Sequence, residues 1–151
     1  MTTQFKALDR SVPFKGPEAI DTQVLEAFPY DYADCPVGRA MEIVTVTDEF
    51  TSVCPFSGLP DFARVTITYV PVARCLELRS LKYYLMSYRD VGMWYEHLVN
   101  RMLRDLVDLC QPSRMSIVIE AKPRGGLAST VTAAWPAPAV GKGADEERTG
   151  W

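Results

Sequence analysis

The hydrophobic period along this chain changes from about two residues to about 3.6 and back, and this change most constrains its fold. Apolar and polar residues alternate over Arg64–Val70, which is typical of a half-buried strand, and Met41–Val46 indicates another. Two amphipathic stretches follow, Glu77–Tyr88 and Trp94–Leu109, and Pro112 ends the second. These four segments predict two strands followed by two helices.

Alternation returns after the helices. Met115–Ala121 and Leu127–Trp135 are rich in residues that favour strands, and Lys122–Gly126 between them predicts a turn. The whole order is two strands, two helices and two strands, which predicts the α+β class.

The length of 151 residues suits a single domain. Residues 1–39 mix proline, glycine and aromatic side chains without a sustained period, which indicates an irregular N-terminal arm. The folded domain is expected over residues 40–135. Residues 136–151 contain too few apolar side chains to pack, and we expect them to be disordered.

Charge and hydropathy exclude several classes of partner. Sixteen basic and nineteen acidic side chains give a net charge of -3, which disfavours nucleic acid as a partner. No apolar run approaches the roughly 18 residues of a membrane span, and Met1–Arg10 lacks the pattern of a signal peptide. We therefore expect a cytoplasmic protein without a membrane partner.

The cysteines and the single histidine, His97, are spread too widely for a typical zinc site. No two cysteines have the spacing of a CxxC pair. We therefore expect no metal.

A predicted loop, Phe50–Phe62, carries the first candidate site. Cys54 precedes Pro55, which restricts its backbone, so Cys54 is either a fixed nucleophile or a cysteine buried at a strand end. Asp61 follows Pro60 and is either a general acid or a residue that caps a turn. These local features leave both alternatives open.

The helices carry further candidates. Glu96 could accept paired hydrogen bonds from the edge of a guanine-like base, or could simply interact with the helix dipole. His97 is expected at the surface or as a hydrogen-bonded core residue. Four basic residues could hold phosphates or could merely be solvated. They are Arg79, Lys82, Arg89 and Arg124.

Several short motifs together resemble those of one enzyme family. They are Val24–Pro29, Glu49–Pro55, Glu77–Tyr84, Ser87–Arg89 and Pro123–Gly126, with Gly58, Asp61 and Glu96 between them. The family is that of the NADPH-dependent nitrile reductases, which convert 7-cyano-7-deazaguanine to 7-aminomethyl-7-deazaguanine in queuosine biosynthesis. The resemblance spans about Val24 to Gly126.

The resemblance implies a tunnelling fold, in which small α+β subunits join into a β-barrel ring. Active sites in this fold form between neighbouring subunits. A homo-oligomer is therefore implied, and for this short form it is a decamer of two pentamers.

The resemblance also implies roles for individual residues. Cys54 would attack the nitrile carbon to give a covalent thioimide, and Asp61 would protonate the nitrogen. Two NADPH molecules would then supply two hydrides. The implied substrate-binding residues are Leu76, Glu77, Leu78, Tyr95 and Glu96. The candidates for binding the NADPH cofactor are Arg79, Lys82 and Arg124.

Three positions depart from the family pattern. Tyr95 stands where histidine is usual, and a phenol is a far weaker acid than an imidazolium. Arg79 stands where lysine is usual. Leu98 replaces a cysteine that in some members protects the nucleophile through a reversible disulfide.

Two alternatives to an active reductase therefore stay open. The first is an amidine-forming relative that uses the same thioimide with ammonia and acts on tRNA. The second is a deazaguanine-binding homologue with little turnover, in which Tyr95 has impaired catalysis.

Overall fold

Two helices cover one face of a four-stranded antiparallel sheet. The computed structural model describes residues 12–30 and 41–138. After a short 3-10 turn at Pro17–Ala19, the elements are β1 (Ala27–Pro29), β2 (Ile43–Val53), β3 (Pro60–Val70), β4 (Arg74–Leu76), α1 (Leu78–Met86), α2 (Tyr95–Cys110), β5 (Arg114–Ala121) and β6 (Thr130–Trp135).

The large sheet has the strand order β2-β3-β5-β6, with every neighbouring pair antiparallel. Val65 in β3 pairs with Thr47 on one side and with Ile119 on the other. The β2–β3 register shifts between Thr47 and Phe50, which marks a bulge in β2. Strands β1 and β4 form a separate two-stranded sheet. Within the part of the chain that is described, β2 and β6 are therefore the open edges of the large sheet.

The core lies between this sheet and the helices. Alternate side chains of β3 and β5 are buried because successive residues of a strand point to opposite faces. The largest fully buried side chains include Tyr69, Tyr84, Tyr88, Leu98, Met102, Leu106 and Ile117. Leu98, which occupies the family's cysteine position, is thus a core residue.

Helix boundaries follow from capping at both ends. The Glu77 carboxylate accepts hydrogen bonds from the Arg79 and Ser80 N–H groups at 2.9 and 2.7 Å, so Glu77 caps α1 and the helix begins at Leu78. Helix α2 ends at Cys110, and Gln111 adopts a left-handed conformation with φ of 45°. Pro112 follows it, in agreement with the predicted end.

The predicted α+β class is confirmed, and so is the order of the four long strands and two helices, whereas the short strands β1 and β4 were not predicted. The prediction of a loop over Phe50–Phe62 is wrong for most of its length, because β2 continues to Val53 and β3 begins at Pro60. A proline is tolerated as the first residue of a strand, so Pro60 does not break β3. Only residues 54–59 connect the two strands.

Parts of the predicted arm and tail lie outside the described residues, namely residues 1–11, 31–40 and 139–151. The described part of the arm supplies β1, which pairs with β4. None of the helices within residues 12–30 and 41–138 has the length and apolar character needed to cross a membrane.

Candidate active site

The loop that follows β2 holds Cys54 in a closed turn. The Cys54 N–H donates to the Leu59 carbonyl at 2.9 Å, and the Gly58 N–H donates to the Cys54 carbonyl at 2.8 Å. Gly58 has φ of +70°, and a Cβ there would lie 2.3 Å from the Val12 carbonyl oxygen of the arm. This backbone therefore requires glycine, and the arm packs against the cysteine loop.

The surroundings of Cys54 favour its thiolate. Burial raises the pKa of the thiol, but hydrogen bonds from the Ser57 hydroxyl and from the Ser57 and Phe56 N–H groups oppose this. The Arg124 guanidinium adds a further stabilising contact, and the net pKa lies below the ordinary 9.0. The thiol is partly exposed, so a reagent can reach it.

Asp61 lies in β3, and only 5% of its surface is exposed. Its carboxylate forms an ion pair with the Arg124 guanidinium. Burial raises the pKa of Asp61 above its ordinary value, while Arg124 and the Tyr95 hydroxyl partly offset this rise. The alternative in which Asp61 caps a turn is wrong, because Asp61 belongs to a strand and its carboxylate binds Arg124.

Arg124 reaches this site from the turn between β5 and β6. Arg124 and Leu127 exchange backbone hydrogen bonds of 2.9 and 3.0 Å, which close the turn. Gly125 and Gly126 between them have φ of +56° and +81°, a conformation that favours glycine. The Pro-Arg-Gly-Gly motif thus forms a tight turn that carries one cation to Asp61 and Cys54.

Tyr95, the first residue of α2, also faces this cluster. Burial raises its pKa to about 12, and the negative charge of Asp61 contributes to the rise, so the phenol remains protonated at neutral pH. Its hydroxyl oxygen is buried and has no hydrogen bond of ordinary geometry with the described residues, but it lies close enough to Asp61 for each group to shift the pKa of the other. This hydroxyl can donate its proton to the Asp61 carboxylate or to a bound molecule.

Ser52 is a site residue that the sequence did not indicate. Its side chain is fully buried, and its hydroxyl, like that of Tyr95, has no hydrogen-bond partner among the described residues. Ser52 pairs with Asp61 across the β2–β3 ladder. The alternation of Phe50, Ser52 and Cys54 could have revealed it, had β2 been predicted to reach Val53.

The residues predicted from the start of α1 form a second group. Glu77 caps the helix, Leu76 is buried, and Leu78 is 61% exposed. Lys82 lies beside a cavity of about 280 Å³ between β2 and α1. The lining of this cavity includes Phe50, Leu81, Leu85, Met86 and Arg89. Arg79 is exposed on the same helix.

No hydrogen bond or ion pair in the described ranges joins this α1 group to Cys54, Asp61, Tyr95 and Arg124. Glu96 and His97 are both exposed on the first turn of α2. The structure therefore brings together four of the predicted site residues, while Lys82 lines a cavity whose lining includes none of these four. In residues 12–30 and 41–138, no three His, Cys, Asp or Glu side chains converge as metal ligands would.

Comparisons with known proteins identify the family of this chain. The model of the family described as QueF-like protein matches residues 60–139. The NADPH-dependent 7-cyano-7-deazaguanine reductase of Caldicellulosiruptor bescii is 48% identical, covering 85% of this chain and 95% of that protein. The protein of the same name from Chlorobaculum tepidum is 45% identical over 77% of this chain and 96% of its own length.

One solved structure shows the same fold. It is the apo form of an archaeosine synthase described as QueF-Like, with a TM-score of 0.56 and 22% identity. The match covers 65% of this chain and 94% of that one.

Proposed function

Because the chain belongs to the QueF-like protein family, we propose that it is an NADPH-dependent 7-cyano-7-deazaguanine reductase of queuosine biosynthesis. Its fold is the tunnelling fold that the sequence resemblance implied. The observation that carries the proposal is the cluster of Cys54, Asp61 and Arg124 in a chain that matches nearly the full length of these reductases.

The first chemical step is addition of the Cys54 sulfur to the nitrile carbon. A carbon–sulfur bond forms, one carbon–nitrogen π bond opens onto nitrogen, and Asp61 donates the proton that the nitrogen takes up. The product is a thioimide on Cys54. A thiol whose pKa is lowered and a buried carboxyl whose pKa is raised suit these two roles.

The residues of the α1 group offer positive charge and an apolar cavity to a dinucleotide. Lys82 and Arg89 offer positive charge for phosphates at the cavity beside β2, and its apolar lining suits a flat ring. Arg79 adds a third exposed cation. NADPH, when bound, supplies one hydride to each of the two reductions, four electrons in all.

Substrate recognition is proposed for Glu96, Tyr95 and the segment Leu76–Leu78. The exposed Glu96 carboxylate can accept two parallel hydrogen bonds from the amidine-like edge of the deazaguanine. The buried hydroxyl of Tyr95 can donate one hydrogen bond to the bound molecule.

The two separate groups of site residues support a homo-oligomer with sites between subunits. Strands β2 and β6 leave two open edges, and Val44 and Val46 in β2 are 56% and 42% exposed. Open edges invite pairing with a second copy, so β2 of one subunit would pair with β6 of the next. We propose a ring of this kind, assembled as a decamer of two pentamers.

A cytoplasmic location fits the chemistry. Cys54, Cys75 and Cys110 are free thiols. A nucleophilic thiol of lowered pKa persists best in a reducing compartment.

The deciding experiment measures the intact mass of the protein mixed with 7-cyano-7-deazaguanine. Cys54→Ala is the test variant, and Cys75→Ala, which removes a buried thiol, is the matched control. NADPH is then added while its absorbance is recorded.

An adduct that requires Cys54, survives in Cys75→Ala and disappears as two NADPH are oxidised supports the reductase. An adduct that persists without NADPH oxidation favours the binding homologue or the amidine-forming relative. If no adduct forms and no NADPH is oxidised, the assignment is wrong for this substrate.

A further inference from the structure

Arg124 contacts both reacting groups of the proposed mechanism. Its guanidinium forms the ion pair with Asp61, whose side chain is 6% exposed, and lies beside the Cys54 sulfur. Arg124 itself is 45% exposed, so solvent reaches one side of the guanidinium. The Arg124 guanidinium thus links two acidic side chains, the Cys54 thiol just after β2 and the Asp61 carboxyl near the start of β3.

We propose that Arg124 is a positioning residue for thioimide formation, which holds Cys54 and Asp61 as a pair carrying one proton and one negative charge. This inference rests on the proposed function. It assigns Arg124 a role that begins before NADPH binds, whereas the sequence suggested only a cofactor contact.

Charge balance explains why a cation is needed here. Burial raises the pKa of both Cys54 and Asp61, and Arg124 opposes this rise at both groups, at Cys54 together with the hydrogen bonds from Ser57 and Phe56. The guanidinium stabilises one negative charge, and the pair then gives up one of its two protons. The remaining proton sits on Asp61 when the sulfur is a thiolate, which is the state that can attack the nitrile and protonate its nitrogen.

The ion pair also limits what else Arg124 can do. If a cofactor phosphate took the guanidinium away, the Asp61 carboxylate would be left buried without its partner, which is costly. The α1 cations Arg79, Lys82 and Arg89 form no ion pair with the described residues. They can therefore take phosphates without such a loss.

The experiment omits NADPH. It measures the rate of the Cys54 adduct with 7-cyano-7-deazaguanine in the wild type, Arg124→Gln and Arg124→Lys, and the rate of Cys54 alkylation by iodoacetamide against pH. The control is Lys122→Gln, which removes one positive charge from the same exposed connection between β5 and β6.

We expect Arg124→Gln to slow adduct formation at least about tenfold and to move the alkylation midpoint of Cys54 upward by a few tenths of a pH unit. Lys122→Gln should keep the adduct rate and the alkylation midpoint of the wild type. The adduct rate and the alkylation midpoint of Arg124→Lys should lie between those of Arg124→Gln and the wild type. An ammonium keeps the charge but cannot contact two partners as a planar guanidinium does.

The proposal is overturned if Arg124→Gln forms the adduct at the wild-type rate and only raises KM for NADPH. If Arg124→Gln does not fold, Arg124→Lys carries the test, and wild-type rates in that variant overturn the proposal. Failure of the proposed function looks different, because the wild type would then form no adduct while the alkylation profiles would still report on Arg124.

Discussion

Ser52 and Asp61 face each other across the β2–β3 ladder, on the face of the sheet that the helices cover. Ser52 is fully buried and Asp61 is 5% exposed. Directly opposite residues of an antiparallel pair have Cβ atoms about 5 Å apart, so the Ser52 hydroxyl lies beside the proposed general acid.

Replacing Ser52 by alanine should lower activity without lowering stability. A buried hydroxyl without a partner costs desolvation, so Ser52→Ala should unfold no more easily than the wild type and gain up to about 1 kcal/mol. Turnover should fall about fivefold or more, because we expect the unpartnered hydroxyl to hydrogen-bond the bound substrate. Urea denaturation and NADPH oxidation measure the two effects. Ser116→Ala, on the opposite face of the sheet, should change neither, and a Ser52→Ala enzyme of full activity would contradict the prediction.

Replacing Asp61 by asparagine should abolish the proposed proton donor while keeping the side-chain volume. We expect kcat to fall by a factor on the order of 10² to 10⁴. Steady-state NADPH oxidation measures it. The control is Asp90→Asn, which removes an exposed carboxylate paired with Lys15. A fall of less than about threefold would remove Asp61 from the mechanism.

Among the cysteines within residues 12–30 and 41–138, thiol labelling should favour Cys54. The pKa of Cys54 lies below 9.0, whereas burial raises that of Cys75 and brings that of Cys110 to about 11. Since only the thiolate reacts, a lower pKa means a larger reactive fraction at neutral pH. Iodoacetamide at pH 7 should therefore modify Cys54 before Cys75 and Cys110, as peptide mapping would show. Earlier modification of either buried cysteine would refute this order.

A buried tyrosine pair should contribute to stability. The Tyr84 hydroxyl donates to Asp105 at 2.9 Å and lies 2.6 Å from the Tyr88 hydroxyl. Tyr84→Phe should lower the free energy of unfolding by about 1 to 3 kcal/mol, because it leaves buried partners unsatisfied. Tyr83→Phe, at a position 53% exposed, should change it by less than about 0.5 kcal/mol. Urea denaturation at equal protein concentration measures the free energy of unfolding of both variants. Equal free energies for Tyr84→Phe and Tyr83→Phe would contradict the expectation.

An edge-strand charge should disrupt the proposed ring. Val46 lies in β2 and is 42% exposed, so Val46→Asp would place a charge beside the proposed junction with β6. We expect a lower native mass by light scattering. Val72→Asp makes the same change at a position 48% exposed outside the strands and should leave the mass unchanged. An undiminished mass in Val46→Asp would argue against pairing through β2.

The sequence predicted most of the fold because its periods are long and clear. The stripe of α2 and the alternation of β3 needed no tertiary information. The end of β2 was missed because Pro55, Gly58 and Pro60 lie close together and suggested a longer loop. In three dimensions, burial of Phe50 and Ser52 against the helices keeps that segment in the sheet.

The candidate site was only partly predictable for a related reason. Cys54 and Asp61 are near neighbours in sequence, and the family motifs mark both. Arg124, the partner of Asp61, is 63 residues away in sequence, and no local pattern predicts an ion pair between residues so far apart. Ser52 was missed together with the end of β2, because its alternation with Phe50 and Cys54 has meaning only if the strand reaches Val53.

The long separation between Arg124 and the thiol also has a consequence for biosynthesis. A chain emerges from the ribosome with its N-terminal part first, so Cys54 is made well before the turn that carries Arg124. Until that turn folds back onto the sheet, the thiol lacks the cation that favours its ionised form. We therefore expect the nucleophile to gain its full reactivity only when the β5–β6 hairpin is in place, so that chemical competence depends on completion of the fold.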